Sequence, residues 1–175
     1  MVPPWTSTDI TPSKRAAGDE IGAAISANKD LTYAVIGAPG VDGDRGTVYV
    51  ATRSGEEWTL EPMSPPDLTP GDRFGQAVAV PQHWSGDFKP FAAGAPGEDR
   101  IATDAGLVYV HGLQGTWRTI PPLGQDAHTG WGGDTLLIRR GADGFAIVSA
   151  NAPGGPGLES YVFVWYAKPS ELPVP

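Results

Sequence analysis

Apolar positions come in short bursts along this chain, separated by glycine, proline and charged residues. Segments 23–25, 33–36, 47–51, 76–80, 91–93, 107–111, 136–138, 145–149 and 161–165 run apolar or alternate with period two over three to five residues, and β-branched or aromatic side chains fill most of them. That is the pattern of short, half-buried strands. No segment sustains a 3.6-residue period, so helix content is expected to be close to nil. The 24 glycines and 18 prolines supply the turns between strands, and a hydrophobic content of 40% argues for a folded chain over a disordered one.

The bursts recur in a fixed order. A first copy reads Gly18-Asp19-Glu20-Ile21-Gly22, then Gly37-Ala38-Pro39, then Val48-Tyr49-Val50. A second reads Gly71-Asp72-Arg73-Phe74-Gly75, Gly94-Ala95-Pro96 and Val108-Tyr109-Val110. A degenerate third runs Trp131-Gly132, Asn151-Ala152-Pro153 and Val162-Phe163-Val164, so that the Ala-Pro pair returns at 38, 95 and 152 with a constant step of 57. A fixed period of that size marks a repeat architecture.

Trp58 and Trp117 each open one more short strand after a valine strand, which makes four strands per copy. Trp5 opens a similar segment with no copy ahead of it, and Trp5 to Gly22 spans the same 17 positions as Trp58 to Gly75. No tryptophan follows the third valine strand where one is due. The fourth strand wanting at the end of the third copy is therefore expected to be the segment 5–11.

The paired boxes, above all Gly71-Asp72-Arg73-Phe74-Gly75 and Gly94-Ala95-Pro96-Gly97, resemble FG-GAP repeats, the four-stranded blades of the integrin alpha-chain β-propeller and of related propellers. The resemblance runs nearly the whole length, from Trp5 to Trp165. It implies an all-β protein built of β-propeller blades of four antiparallel strands, three per chain. The units are 5–57, 58–116 and 117–166 within one domain over 1–175, and a proline-rich tail follows at 167–175. It also implies an extracellular or cell-surface location.

Propellers typically close with about 4 to 8 blades, and three blades would leave gaps that side chains cannot fill. The expectation is a homodimer or other homo-oligomer that completes a six-bladed ring. The N-terminal strand of one chain would pair with the open edge of the third blade in another. A longer propeller of which this chain is a fragment, or a partner that is a different half-propeller, are the rival expectations.

A net charge of −8 and a pI near 4.7 oppose binding to phosphate backbones, so no nucleic-acid partner is expected. No apolar run approaches the ~18 residues that span a bilayer, and Met1-Val2-Pro3-Pro4 has neither the basic nor the apolar part of a signal peptide; neither membrane insertion nor a leader is expected in this sequence. Cysteine is absent, which removes disulfides, thiolate metal sites and cysteine nucleophiles together.

Candidate chemistry is sparse. In the resembled family the first hairpin of a blade often holds calcium, which takes about six to eight oxygens. Here each such hairpin has a single carboxylate, Asp30, Asp87 or Asp143, and these are expected to cap turns. No cofactor or metal is expected; calcium at Asp42 and Asp44, or at Glu98, Asp99 and Asp104, is the lesser alternative. Of the three histidines, His111 ends a valine strand, His83 lies in a hairpin and His128 precedes the third box. Asp126 beside His128 has no accompanying nucleophile, so no catalytic residue is assigned.

What differs between copies points to ligand contacts. Gly22 to Gly37 is 15 positions, whereas Gly75 to Gly94 and Gly132 to Asn151 are 19 each. The longer hairpins carry Pro81-Gln82-His83-Trp84-Ser85 and Arg139-Arg140-Gly141. His83, Trp84, Arg139 and Arg140 are therefore the candidate ligand-binding residues, an indole platform with polar groups suited to a carbohydrate or a protein loop. The structural alternative for Trp84 is packing over its own blade. Trp131 takes the position of Ile21 and Phe74 and is expected in the core between blades. The functional expectation is a non-catalytic binding module, lectin-like or adhesion-like. The alternatives are an assembly subunit without a small ligand and a hydrolase or lyase on a propeller scaffold.

Overall fold

The structure is a computed structural model that describes residues 7–83, 88–112, 115–121, 130–133, 136–141, 144–150 and 162–167, the last three ranges as backbone. Three antiparallel meanders make up these residues. The first sheet runs β1 (Ile25–Ala27), β2 (Tyr33–Ala38), β3 (Thr47–Ser54) and β4 (Glu57–Met63), with a four-residue helical turn α1 (Val41–Asp44) between β2 and β3. The second runs β5 (Val78–Ala79), β6 (Phe91–Ala95), β7 (Leu107–His111) and β8 (Trp117–Ile120), and the third β9 (Leu136–Gly141), β10 (Gly144–Ala150) and β11 (Val162–Ala167). All-β meanders of this order are consistent with propeller blades.

The tryptophan strands β4 and β8 lie where the sequence placed them. In the first two sheets the first strand is short, and the glycine box ahead of it is bonded to the second strand of the same sheet. Gly22 N donates to Gly37 O at 2.9 Å and Gly37 N to Ala24 O at 2.8 Å, and in the second copy Gly75 N donates to Gly94 O and Gly94 N to Ala77 O, both at 2.9 Å. Within the single chain residues 7–12 form no strand; the edge expected to pair with segment 5–11 belongs to another chain. A strand requires a neighbour to complete its backbone bonds, and none of the described residues lies beside this segment as a strand. Thr11 N instead bonds the Asp9 side chain at 2.8 Å.

Strand alternation gives the first two sheets two apolar faces each. Tyr33, Val35, Val48 and Val50 of the first sheet pack against Phe74, Val78, Val80, Phe91, Ala93, Leu107 and Tyr109 of the second, forming the largest core. Ala77, Ala79, Ala92 and Val108 on the far side of the second sheet meet Trp131. Trp131 is buried and its indole N–H donates to Ile120 O at 3.1 Å, which bears out its reading as core between blades. Ala34, Ile36, Ala38, Tyr49 and Ala51 make up the remaining face of the first sheet.

The same junction joins successive sheets. Arg73 N and Phe74 N donate to Asp44 O and Arg45 O at 2.7 and 3.1 Å; Gly130 N and Trp131 N donate to Asp104 O and Ala105 O at 2.9 and 3.0 Å. The aromatic box of each following copy is thus stitched to the turn ahead of the valine strand in the copy before it.

Register departs from motif alignment in the third sheet. Ile36 pairs with Tyr49 and Ala93 with Tyr109, each the middle of its Val-Tyr-Val, but Ala150 pairs with Val162 and not with Phe163. A one-residue shift exchanges the two faces of a strand, so Val162 stands where Tyr49 and Tyr109 stand.

Candidate binding end of the blades

The hairpins β1–β2, β5–β6 and β9–β10 join the first and second strands of their sheets and so share one end of the stack. Asn28 builds the first. Its Oδ1 accepts from Thr32 N at 2.9 Å and Tyr33 N at 3.1 Å, and its Nδ2 donates to Thr32 Oγ1 at 2.8 Å. Asn28, not Asp30, therefore ties this turn, and it is buried in doing so. Asp87 and Asp143 lie outside the described residues.

The second hairpin is longer and is fastened to the first. Lys29 N donates to Gln82 O at 2.9 Å, Gln82 Nε2 to Ala27 O at 3.1 Å, and Val80 N to Ser26 Oγ at 3.2 Å. On its far side the Tyr33 hydroxyl donates to Pro90 O at 3.0 Å, and Lys89 Nζ sits 5.9 Å above the Tyr33 ring. Burial pushes the Tyr33 hydroxyl far above its usual pKa, so it acts as a neutral donor. His83 follows Gln82 directly and is exposed. Trp84 lies outside the described residues.

His111 closes this end from within. Its ring stacks on Phe88 and Phe91, with centroids 5.2 Å away in each case, and tilts against Trp117 at 4.8 Å. Burial draws its pKa below the ordinary value, against the opposing pull of backbone groups at Lys89 and Gly115, and its Nδ1 is buried without a hydrogen-bond partner. It is a neutral packing residue. His128 and Asp126 lie outside the described residues.

Arg139 and Arg140 are not in a loop as expected. Strand β9 continues through them to Gly141, pairing Arg139 with Ala146 and Arg140 with Phe145 before the hairpin closes at Gly141 and Gly144. Two glycines let the ladder run to the turn. Neighbouring strand positions belong to opposite faces of a sheet, so Arg139 and Arg140 stand on opposite faces of the third sheet.

The opposite end gathers the charges. Arg73 bridges Glu20 at 2.6 Å and Asp44 at 2.8 Å, both from the first copy, and Arg45 pairs with Asp42. Arg100 reaches Asp67 at 2.8 Å, Glu98 at 3.1 Å and the Tyr109 hydroxyl at 3.1 Å. Glu98 is buried, and desolvation raises its pKa against the pull of Arg100. The carboxylates named as a calcium alternative are thus largely engaged by arginines, and among the described residues no group of three or more potential ligands is placed to hold a metal. Sequence reading missed these bridges because the partners are up to 53 positions apart.

It also missed a groove. A cavity of about 570 Å³ opens between residues 8–14 and the aromatic edge of the first sheet, walled by Ile10, Lys14, Tyr49, Trp58 and Leu60.

With the sheets and junctions in view, comparison with known families gives one result. Residues 5–51 match the family model described as FG-GAP repeat, so the first copy is similar to an FG-GAP repeat. The match takes in the Trp5 segment together with both glycine boxes and the valine strand. No curated protein matches the chain. Among the described residues no helix is long and apolar enough to cross a membrane.

Proposed function

We propose that the chain is a non-catalytic, propeller-type binding module, completed by assembly of more than one chain. On this reading it works outside the cell and takes a carbohydrate or protein ligand at the hairpin end of its blades. The observation that carries the reading is the β5–β6 hairpin. Residues common to the copies are used in packing and junction bonds, whereas this longer hairpin is anchored through Gln82 and leaves His83 exposed beside the next turn. A rigid scaffold that holds a variable loop is the usual design of a recognition site. Arg140, near the hairpin end of β9, extends the same end.

The test is a glycan array probed with labelled protein, alongside the variants His83→Ala and Trp84→Ala. Sugar-selective signal lost in Trp84→Ala supports the reading. Silence across sugars and in protein capture, from a stable multi-chain species, favours the second reading, an assembly subunit. That reading has its own support in Ile25, an isoleucine of the first sheet that is 66% exposed.

A further inference from the structure

We propose that the open face of the first sheet docks the third sheet of a second copy of this chain, and that residues 7–12 of the first copy become the fourth strand of that sheet. The inference deepens the propeller reading and rests on it, but it is independent of which ligand the hairpins take.

The first observation is an apolar residue left in water. Ile25 is 66% exposed, whereas Val78, 53 positions later at the same place in the second copy, is 7% exposed and packs between the first two sheets. Ile36 and Tyr49 on the same face are buried, at 8% and 9%, against 0% and 1% for their counterparts Ala93 and Tyr109, which the preceding sheet covers. The face has the composition of a blade junction without its preceding blade.

The backbone repeats the point. Arg73 N and Phe74 N, like Gly130 N and Trp131 N, donate to carbonyls of the preceding copy. Their counterparts, Glu20 N and Ile21 N, meet no such carbonyl among the described residues. A preceding blade would supply both acceptors at once.

The N-terminal segment already follows the contacts of a preceding blade's outer strand. Ile10 packs on the open face as Met63, 53 positions later, packs on the core between the first two sheets. Ala16 N bonds Asp19 Oδ2 at 2.6 Å as Thr69 N bonds Asp72 Oδ2 at 2.7 Å, and Gly40 N and Gly97 N bond Asp19 O and Asp72 O, each at 3.2 Å. The segment is thus seated where an outer strand belongs, with a groove and no ladder beside it.

A sheet that shows three strands among the described residues is present in the same chain. The third sheet ends on β11, with no fourth strand among the described residues. Donor segment and acceptor edge therefore satisfy each other twice across a two-fold axis, which closes the assembly and covers both strand edges. The register is taken from the first sheet. Ser7 corresponds to Leu60, which pairs with Ala51 and through it with Ala34; the counterpart of Ala34 is Val148, which pairs with Val164. Ser7 of one copy should lie opposite Val164 of the other.

The absence of cysteine makes the test clean. Light scattering of the unaltered chain should give twice 18.3 kDa, and Ser7→Cys/Val164→Cys, oxidised without reductant, should give a disulfide-linked pair that neither single cysteine gives at the same yield. Ile25→Asp, at a position exposed in the single chain, should shift the mass to one chain while circular dichroism keeps its all-β form. A one-chain mass for the unaltered protein, a dimer that does not cross-link, or a dimer indifferent to Ile25→Asp would each overturn the proposal. A folded, all-β single chain would sink the docking and leave the blade reading standing; a helical spectrum would sink both.

Discussion

Gly37 lies against Gly75 of the next copy so closely that a Cβ on Gly37 would stand 1.9 Å from the Gly75 carbonyl oxygen, and Gly94 meets Gly132 in the same way at 1.8 Å. The recurrent glycines of the two boxes are one contact seen from its two sides: the turn of each following copy crosses the Gly-Ala-Pro strand of the copy before it. Both partners are backbone, so neither can yield by rotating a side chain. Gly37→Ala or Gly94→Ala should cost about 3 kcal/mol, the upper range for overpacking. Gly55 has φ +65° and nothing within 4 Å of an added Cβ; Gly55→Ala should cost only about 1 kcal/mol, the left-handed backbone penalty. Urea midpoints of the three variants, read beside the unaltered chain, check the ranking.

Arg100 joins two charges of unequal surroundings, Glu98 buried and Asp67 at the surface. Removing it leaves the Glu98 carboxylate without its cation, while the backbone bond from Arg100 N to Glu98 Oε2 at 2.9 Å remains. Arg100→Met should therefore cost about 1 to 2 kcal/mol at neutral pH, less than a wholly buried pair because the guanidinium is partly exposed. The Glu98 pKa is already raised by burial, and protonation removes the uncompensated charge. The deficit should accordingly be largest above the folded pKa and shrink as pH falls toward the ordinary glutamic acid value. Denaturation midpoints of both proteins across acidic to neutral pH measure this; a deficit independent of pH would contradict it.

His111 adds a pH dependence of the opposite sign. Its folded pKa lies below the ordinary histidine value of 6.5, so the unfolded chain binds the proton more readily. Its contribution is fully present above that value and is lost as pH falls through the window between 6.5 and the folded pKa. His111→Phe, which keeps a flat ring between Phe88 and Phe91, should flatten this part of the stability profile while leaving the neutral-pH spectrum unchanged. The difference between the two pH profiles is the measurement.

Much of the scaffold was legible because its constraints are local and repeated. The glycine boxes mark close crossings, the Val-Tyr-Val runs mark twin-faced inner strands, and Trp131 declared itself as core by taking the place of Phe74. Other features depend on partners far along the chain or on none. Nothing near residues 7–12 shows that they lack a neighbouring strand, and nothing at Arg139 and Arg140 shows that Gly141 and Gly144 carry the ladder past them. The shifted register of β11 was hidden for a related reason: Val162-Phe163-Val164 is apolar on either face, so its pattern cannot choose between them. Asp30 was read as the turn cap, yet the amide of Asn28 both donates and accepts within one turn, which a carboxylate cannot do.

Asn151 tests the closing junction from the other side. It occupies the place of Gly37 and Gly94 in the repeat and lies outside the described residues. If the third sheet receives the turn Gly18 to Gly22 of a second copy as the first two sheets receive theirs, an asparagine Cβ holds that turn back from the backbone contact made at the other junctions. Asn151→Gly should then tighten the dimer by about tenfold in Kd, equivalent to about 1.4 kcal/mol, whereas Asn151→Ala, which keeps the Cβ, should leave it near the starting value. Sedimentation equilibrium over a dilution series separates the outcomes. Equal affinities for the glycine and alanine variants would mean that no turn crosses the third sheet at this position.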